Sequence, residues 1–186
     1  MFRRQREGER PVTIPVEIAR ELRYELGMVE FTHGQLSEPT RNDDNALCTG
    51  MLSALVESFI AHARLMDEFL GGRETVRKDD IVAVRLTEQW ERRGFLTTAD
   101  RERADKQVLH FTTRRRRRER WPIHAIARAL AHTYLEFYDL LEPADQHELE
   151  GTAISARAII ERCDSDRMHE INLGLVWEEP EKEQDE

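Results

Sequence analysis

Two stretches with apolar residues at helical spacing constrain the fold of this chain most strongly. In NALCTGMLSALVESFIAHARLMDEFLGG (45–72), apolar side chains recur every three or four residues, and two glycines end the pattern. The stretch WPIHAIARALAHTYLEFYDLLEP (121–143) has the same spacing and ends at Pro143, where we expect the helix to stop. The stripes predicted to face a core are Leu52, Leu55, Val56, Phe59, Ala63, Met66 and Leu70, and then Ile123, Ile126, Ala127, Leu130, Tyr134, Phe137 and Leu141.

Weaker patterns lie before, between and after these stretches. Residues 15–36 suit a helix interrupted near Gly27, with Val16, Ile18, Ala19, Leu22, Leu26, Val29 and Phe31 as its apolar side. DIVAVRL (80–86) has no partner strand, so we interpret it as a loop that leads into a short helix at 88–92. Thr98 is the predicted N-cap of the next helix, and residues 144–166 suggest one last helix. The sum is an all-α, single-domain bundle of about five helices.

The length of 186 residues suits one domain with a real core. We predict a flexible N-terminal arm at 1–12, the bundle at 13–170 and an acidic, disordered tail at 171–186, which ends in WEEPEKEQDE. No apolar run approaches the roughly 20 residues that span a bilayer, and no signal-type segment follows the basic start. The chain is therefore expected in the cytoplasm, away from membranes.

The cysteines and histidines predict no metal site and no cofactor. Cys48 and Cys163 are far apart and lack a CxxC neighbour, so a zinc site or a disulfide framework has little support. His62 and His132 have no carboxylate or cysteine at a ligand-type spacing, so we interpret both as structural.

Charge is distributed unevenly along the chain. The formal net charge is −9, but residues 101–120 contain nine basic and three acidic residues, a local +6, so the remainder sums to −15. A local basic patch can attract a polyanion whatever the overall sign. The predicted nucleic-acid-binding residues lie within it: Arg114, Arg115, Arg116, Arg117, Arg118 and Arg120.

Two segments together resemble a known family. The helix with ESF, HAR and DEF in residues 57–69, and then ADKQVLHFTTRR followed by WPIHAIARAL, resemble small bacterial proteins of HEPN-like type. The resemblance covers roughly residues 45–142. It implies an all-α, frequently dimeric bundle, and many such domains are metal-independent ribonucleases that have four to six residues between an arginine and a histidine. A role in a toxin–antitoxin pair or in phage defence would follow from the family.

Arg103 and His110 match the outer limit of that spacing, with six residues between them. On a continuous α-helix they would lie about 20° apart around the axis and about 10 Å apart along it. Cleavage of RNA by its own 2′-hydroxyl needs a base with a pKa near neutral and a cation for the developing phosphate charge, which a histidine and an arginine supply. The sequence departs from the commoner family form at Ala104, where a polar residue, often asparagine, follows the arginine.

Several alternatives remain open at this point. His110 suits a histidine at the end of a core helix equally well, and Arg118 with His124 is a second pair, although Pro122 breaks that segment. Glu57 and Arg64 share a helix face, either as a surface cluster bridged through Glu68 or as support for the His110 groove.

The functional hypotheses likewise divide into a catalytic one and non-catalytic ones. RNA is the first expected partner, with a homodimer that could supply both an acid and a base. The alternative is a non-catalytic dimerisation or protein-interaction module that uses the arginine run as a docking surface for an acidic partner such as an antitoxin. Trp121, next to the run, suits either stacking on a base or a buried anchor at the start of a helix. A further alternative is that the acidic tail covers the arginine run.

Overall fold

Six α-helices form the described part of the chain. The structure is a computed structural model, and it describes residues 14–37, 46–71, 77, 79–109 and 121–165. The helices are α1 (Val16–Ser37), α2 (Ala46–Gly71), α3 (Thr98–Ala104), α4 (Ile123–Tyr138), α5 (Pro143–Glu148) and α6 (Glu150–Ser165). No strand occurs in these ranges, so the predicted all-α bundle is confirmed.

The core forms where α1 packs against α2 and α6, and α4 packs against α6 and α2. Every residue of the predicted stripe on 121–143 is buried. In α2, the predicted residues from Val56 to Leu70 are buried, whereas Leu52 and Leu55 at the start of the stripe are half-buried. Aromatic rings interlock at the centre: Phe137 makes edge contacts with Phe69 and Trp90, at centroid distances of 5.2 and 5.7 Å. These two helices therefore form as their periodicity predicts.

Helix α1 differs from its prediction in two ways. It runs through Gly27 without interruption, because Leu26 and Val29 on either side are fully buried and outweigh the roughly 0.5–1 kcal/mol that a glycine costs inside a helix. Phe31 is 57% exposed, because it lies two residues, or about 200°, around the helix from Val29. Val16, the first residue of the helix, is also exposed.

The connection between α2 and α3 contains no helix at 88–92. Its described residues contain instead a 3₁₀ turn at Ala83–Arg85, and the predicted short helix is wrong. Trp90 organises this connection: it is buried, and its indole Nε1 donates a hydrogen bond to the Leu70 carbonyl at 2.8 Å. A tertiary contact at the end of α2 thus replaces local helix formation.

Three predicted helix boundaries also change. The N-cap of α3 is Thr97, one residue before the predicted Thr98, and its hydroxyl accepts a hydrogen bond from the Asp100 amide. Helix α4 ends at Tyr138, and Pro143 begins α5, where a missing amide proton costs nothing. The predicted last helix is two helices, which meet at Leu149.

Some predicted features lie outside the described residues. They are the arm at 1–12, the tail at 171–186, His110, and the arginines at 114–118 and 120. Within the described ranges, no helix combines the length and the apolar character that crossing a membrane requires.

Candidate functional site

Three metal-ligating side chains converge where α1, α4 and α6 meet. His33 lies in the penultimate turn of α1, His124 is the second residue of α4, and Cys163 lies near the end of α6. His33 Nε2 is 2.9 Å from His124 Nδ1 and 3.7 Å from Cys163 Sγ, and one ligand atom of each residue lies within 4.8 Å of the others. Two imidazoles and a thiol therefore face one point.

His33 is fully buried and incompletely hydrogen-bonded. Its Nδ1 is the buried side-chain nitrogen that has no hydrogen-bond partner among the described residues, and its Nε2 shares one proton at most with His124. Burial, then the neighbouring His124 and Arg162, lower the pKa of His33 from 6.5 to about 4. The ring is therefore neutral at physiological pH, which is the form that binds metals.

Acid should destabilise the metal-free protein through His33. Because the pKa of His33 is about 4 in the fold and 6.5 in the unfolded chain, the unfolded chain binds more protons between these values. This contribution to the free energy of unfolding is fully present above pH 6.5 and is lost as the pH falls through 4, by about 3 kcal/mol in total. His124, Cys163 and Arg162 are the titratable or charged groups that face the ring.

Urea unfolding at pH 7 and pH 4.5, in a chelator, measures this loss. We expect His33→Gln, whose side chain does not titrate, to lose about 2 kcal/mol less than the wild type between the two pH values. Equal losses in the two proteins would show that His33 does not carry the acid sensitivity.

Arg103 lies in the other region that the sequence singles out. Its guanidinium carbon is 3.8 Å from the centre of the Trp121 ring, and its Nε donates to Gln107 Oε1 at 3.1 Å. Residues Asp105–Leu109 wind as a π-helix, which has more residues per turn than an α-helix, so the 20° offset predicted between Arg103 and residue 110 does not apply. His110 itself lies outside the described residues.

Arg64 contacts the same turn from α2, whereas Glu57 is exposed about two turns away along the helix. Arg64 pairs with Glu68 at 2.9 Å, as predicted, and its Nε is 3.1 Å from Asp105 Oδ1. Asp105 is the second residue after Arg103. Of the two predicted supporting residues, Arg64 therefore contacts the turn that follows Arg103.

The buried carboxylate of Asp67 fixes the start of α3. It accepts hydrogen bonds from the amides of Phe95 and Leu96 at 2.8 and 2.9 Å, and from Arg101 Nε at 2.5 Å. The backbone at Gly94 must approach closely for this, since a Cβ there would lie 2.6 Å from Asp67 Oδ1. Asp67 thus links α2 to the loop and helix that lead to Arg103.

Sequence reasoning missed the group formed by His33, His124 and Cys163. These residues are 91, 39 and 130 positions apart, pair by pair, so no local spacing marks them as ligands. One weak signal was available: His33 follows the apolar positions of α1 at the three- and four-residue steps that place it on the buried face. A histidine on a core face requires an explanation, but the sequence pattern does not indicate which residues it contacts.

Comparison with known proteins adds no family to this description. No family model matches the chain, and no curated protein or solved structure is significantly similar to it. The resemblance to HEPN-like proteins consequently rests on the two sequence segments alone, and function has to be argued from the geometry.

Proposed function

We propose that the protein binds RNA and cleaves it without a metal ion, with Arg103 and His110 as the reacting pair and the arginines at 114–118 and 120 as the phosphate-binding surface. The observation that carries this proposal is the contact between Arg103 and Trp121. Arg103 precedes the arginine-rich segment 110–120 and Trp121 follows it. Their stacking brings the residues that flank this segment in the described structure into contact.

The position of Arg103 suits a phosphate clamp. Contact with the Trp121 ring fixes where its guanidinium lies, and a planar guanidinium is the group that binds phosphate oxygens in pairs. The hydrogen bond from Nε to Gln107 and the pairing of Arg64 with Asp105 restrain the same turn. A clamp that is already ordered loses less entropy when it binds the transition state.

The proposed reaction is internal transesterification. His110 removes the proton of the 2′-hydroxyl, the 2′-oxygen attacks the phosphorus, and the bond from phosphorus to the 5′-oxygen breaks. The products are a 2′,3′-cyclic phosphate and a 5′-hydroxyl, and the leaving oxygen takes a proton from the protonated histidine of a second copy. Arg103 stabilises the negative charge that builds on the non-bridging oxygens.

Salt dependence of RNA binding tests the phosphate-binding surface. For labelled single-stranded RNA and a chain with Arg114, Arg115 and Arg116 changed to alanine, the slope of log affinity against log salt should fall by about 2, since each lost phosphate contact removes about 0.7. The matched control changes Arg20, Arg128 and Arg157, three exposed arginines on α1, α4 and α6, and should keep the wild-type slope. No RNA binding by the wild type at low salt would contradict the whole proposal.

Incubation with RNA in EDTA tests cleavage separately. The wild type should produce cyclic phosphate ends, and His110→Ala should abolish cleavage while it retains RNA binding. Arg103→Ala should reduce cleavage by about a hundredfold or more, by analogy with the loss of one transition-state donor. Salt-sensitive binding with intact RNA throughout would favour a non-catalytic binding module instead.

A further inference from the structure

We propose that His33, His124 and Cys163 form a binding site for a transition-metal ion of the zinc type. This inference is independent of the proposed RNA function, because it uses none of the same residues. It rests on three ligand atoms from three different helices that meet at one end of the bundle.

The distances between the ligand atoms suit such an ion. Bonds of about 2.05 Å to nitrogen and about 2.3 Å to sulfur, at tetrahedral angles, place two nitrogens about 3.3 Å apart and a nitrogen and a sulfur about 3.6 Å apart. The observed separation of His33 Nε2 from Cys163 Sγ is 3.7 Å. The separation of the two nitrogens is 2.9 Å, so it has to widen by about 0.4 Å. All three ligand atoms lie within 4.8 Å of one another, so rotations of the His124 and Cys163 side chains would complete the tetrahedral spacing.

Burial of His33 carries a cost that its hydrogen bonds do not offset. The hydrogen bond between the two rings uses one nitrogen of each, and His33 Nδ1 stays buried without a partner. An apolar side chain of similar size would fill this position without that cost. A ligand role accounts for a histidine here, since an ion would replace the shared proton and bind both nitrogens through their lone pairs.

The donor set selects the class of ion. Two imidazoles and a thiolate suit zinc and related transition metals, whereas magnesium and calcium prefer oxygen ligands. Binding releases the thiol proton of Cys163, and the resulting thiolate offsets part of the charge of the ion. Three protein ligands leave a fourth position for water or for an atom of a substrate.

Titration of the full chain with Co²⁺, after removal of metals by a chelator, tests the site. The wild type should bind one Co²⁺ per chain and develop a thiolate-to-cobalt charge-transfer band, and Zn²⁺ should displace the cobalt and remove the band. Cys163→Ser should lose the band, and His124→Gln should weaken Co²⁺ binding by at least tenfold. Both of these side chains are half-buried, so we expect both variants to fold, which circular dichroism checks.

Two matched variants serve as controls. Cys48→Ser removes the other cysteine of the chain, and His132→Gln removes an exposed histidine from the same helix as His124. Both should retain the band and the affinity. A second measurement is the thermal midpoint, which should rise with Zn²⁺ concentration for the wild type and not for Cys163→Ser.

Two results would overturn the site. One is the absence of a thiolate band in the wild type at saturating Co²⁺, and the other is a band that survives in Cys163→Ser but disappears in Cys48→Ser. Neither readout involves RNA, so failure of the metal site and failure of the ribonuclease proposal can be told apart. RNA cleavage in EDTA should accordingly be measured on protein whose fold in the chelator has been confirmed.

Discussion

Replacing Asp67 with alanine is expected to lower the free energy of unfolding by about 3–5 kcal/mol. The Asp67 side chain is only 2% exposed, and it accepts hydrogen bonds from two backbone amides and from Arg101. Removal of the carboxylate leaves these donors without their acceptor, and it leaves the partly buried Arg101 without the partner that raises its pKa. Loss of a buried acceptor costs more than its hydrogen bonds contribute, because the donors stay buried and unsatisfied.

Urea unfolding at pH 7 measures this effect, and Asp164→Ala is its matched control. Asp164 forms an ion pair with Arg128 on the surface, where both side chains are about half exposed, so its loss should cost less than 1 kcal/mol. Asp67→Asn should fall between the two, because an amide oxygen still accepts from the backbone but carries no charge. A loss below 1 kcal/mol for Asp67→Ala would contradict the role of this carboxylate as the anchor of α3.

Phe137→Ala is expected to cost about 3–5 kcal/mol as well. Phe137 is fully buried, and its ring contacts those of Phe69, Trp90 and Tyr134. Its removal leaves a cavity between α2, α4 and the connection that holds Trp90, and close-packed neighbours collapse into such a space only in part.

Phe31→Ala is the control for this prediction, since it removes the same atoms from a helix surface. Phe31 is 57% exposed, and its loss should change the free energy of unfolding by no more than about 0.5 kcal/mol. A large loss from Phe31→Ala would mean that this face of α1 is covered in solution. Thermal unfolding of both variants, with the wild type measured alongside, compares the two losses of stability.

Helices α2 and α4 could be predicted from the sequence because the apolar spacing that determines each helix lies within its own residues. An apolar residue every three or four positions describes one face of one helix, and burial of that face requires only that some other apolar face be present. Phe59, Met66, Leu130 and Phe137 are accordingly buried as predicted. The same argument failed for Phe31, whose spacing from Leu26 and Val29 mixes two sides of a helix that runs straight through Gly27.

The candidate sites depended far more on tertiary structure. The sequence singled out Arg103 and Arg64, and the fold connects them through Asp105 in a π-helical turn that no spacing rule indicates. Trp90 also could not be predicted from the sequence, because its hydrogen bond to the Leu70 carbonyl takes the place of a predicted helix.

By itself, therefore, the sequence determined the helical class, the buried faces of α2 and α4, and the position of the basic run. Only the tertiary structure brought His33, His124 and Cys163 together, across separations of 39 to 130 residues. The physical reason is that helix periodicity is set by neighbours within one or two turns, whereas the meeting of three side chains depends on how whole helices pack. That packing also placed the carboxylate of Asp67 in the interior, where its partners come from a distant loop and helix.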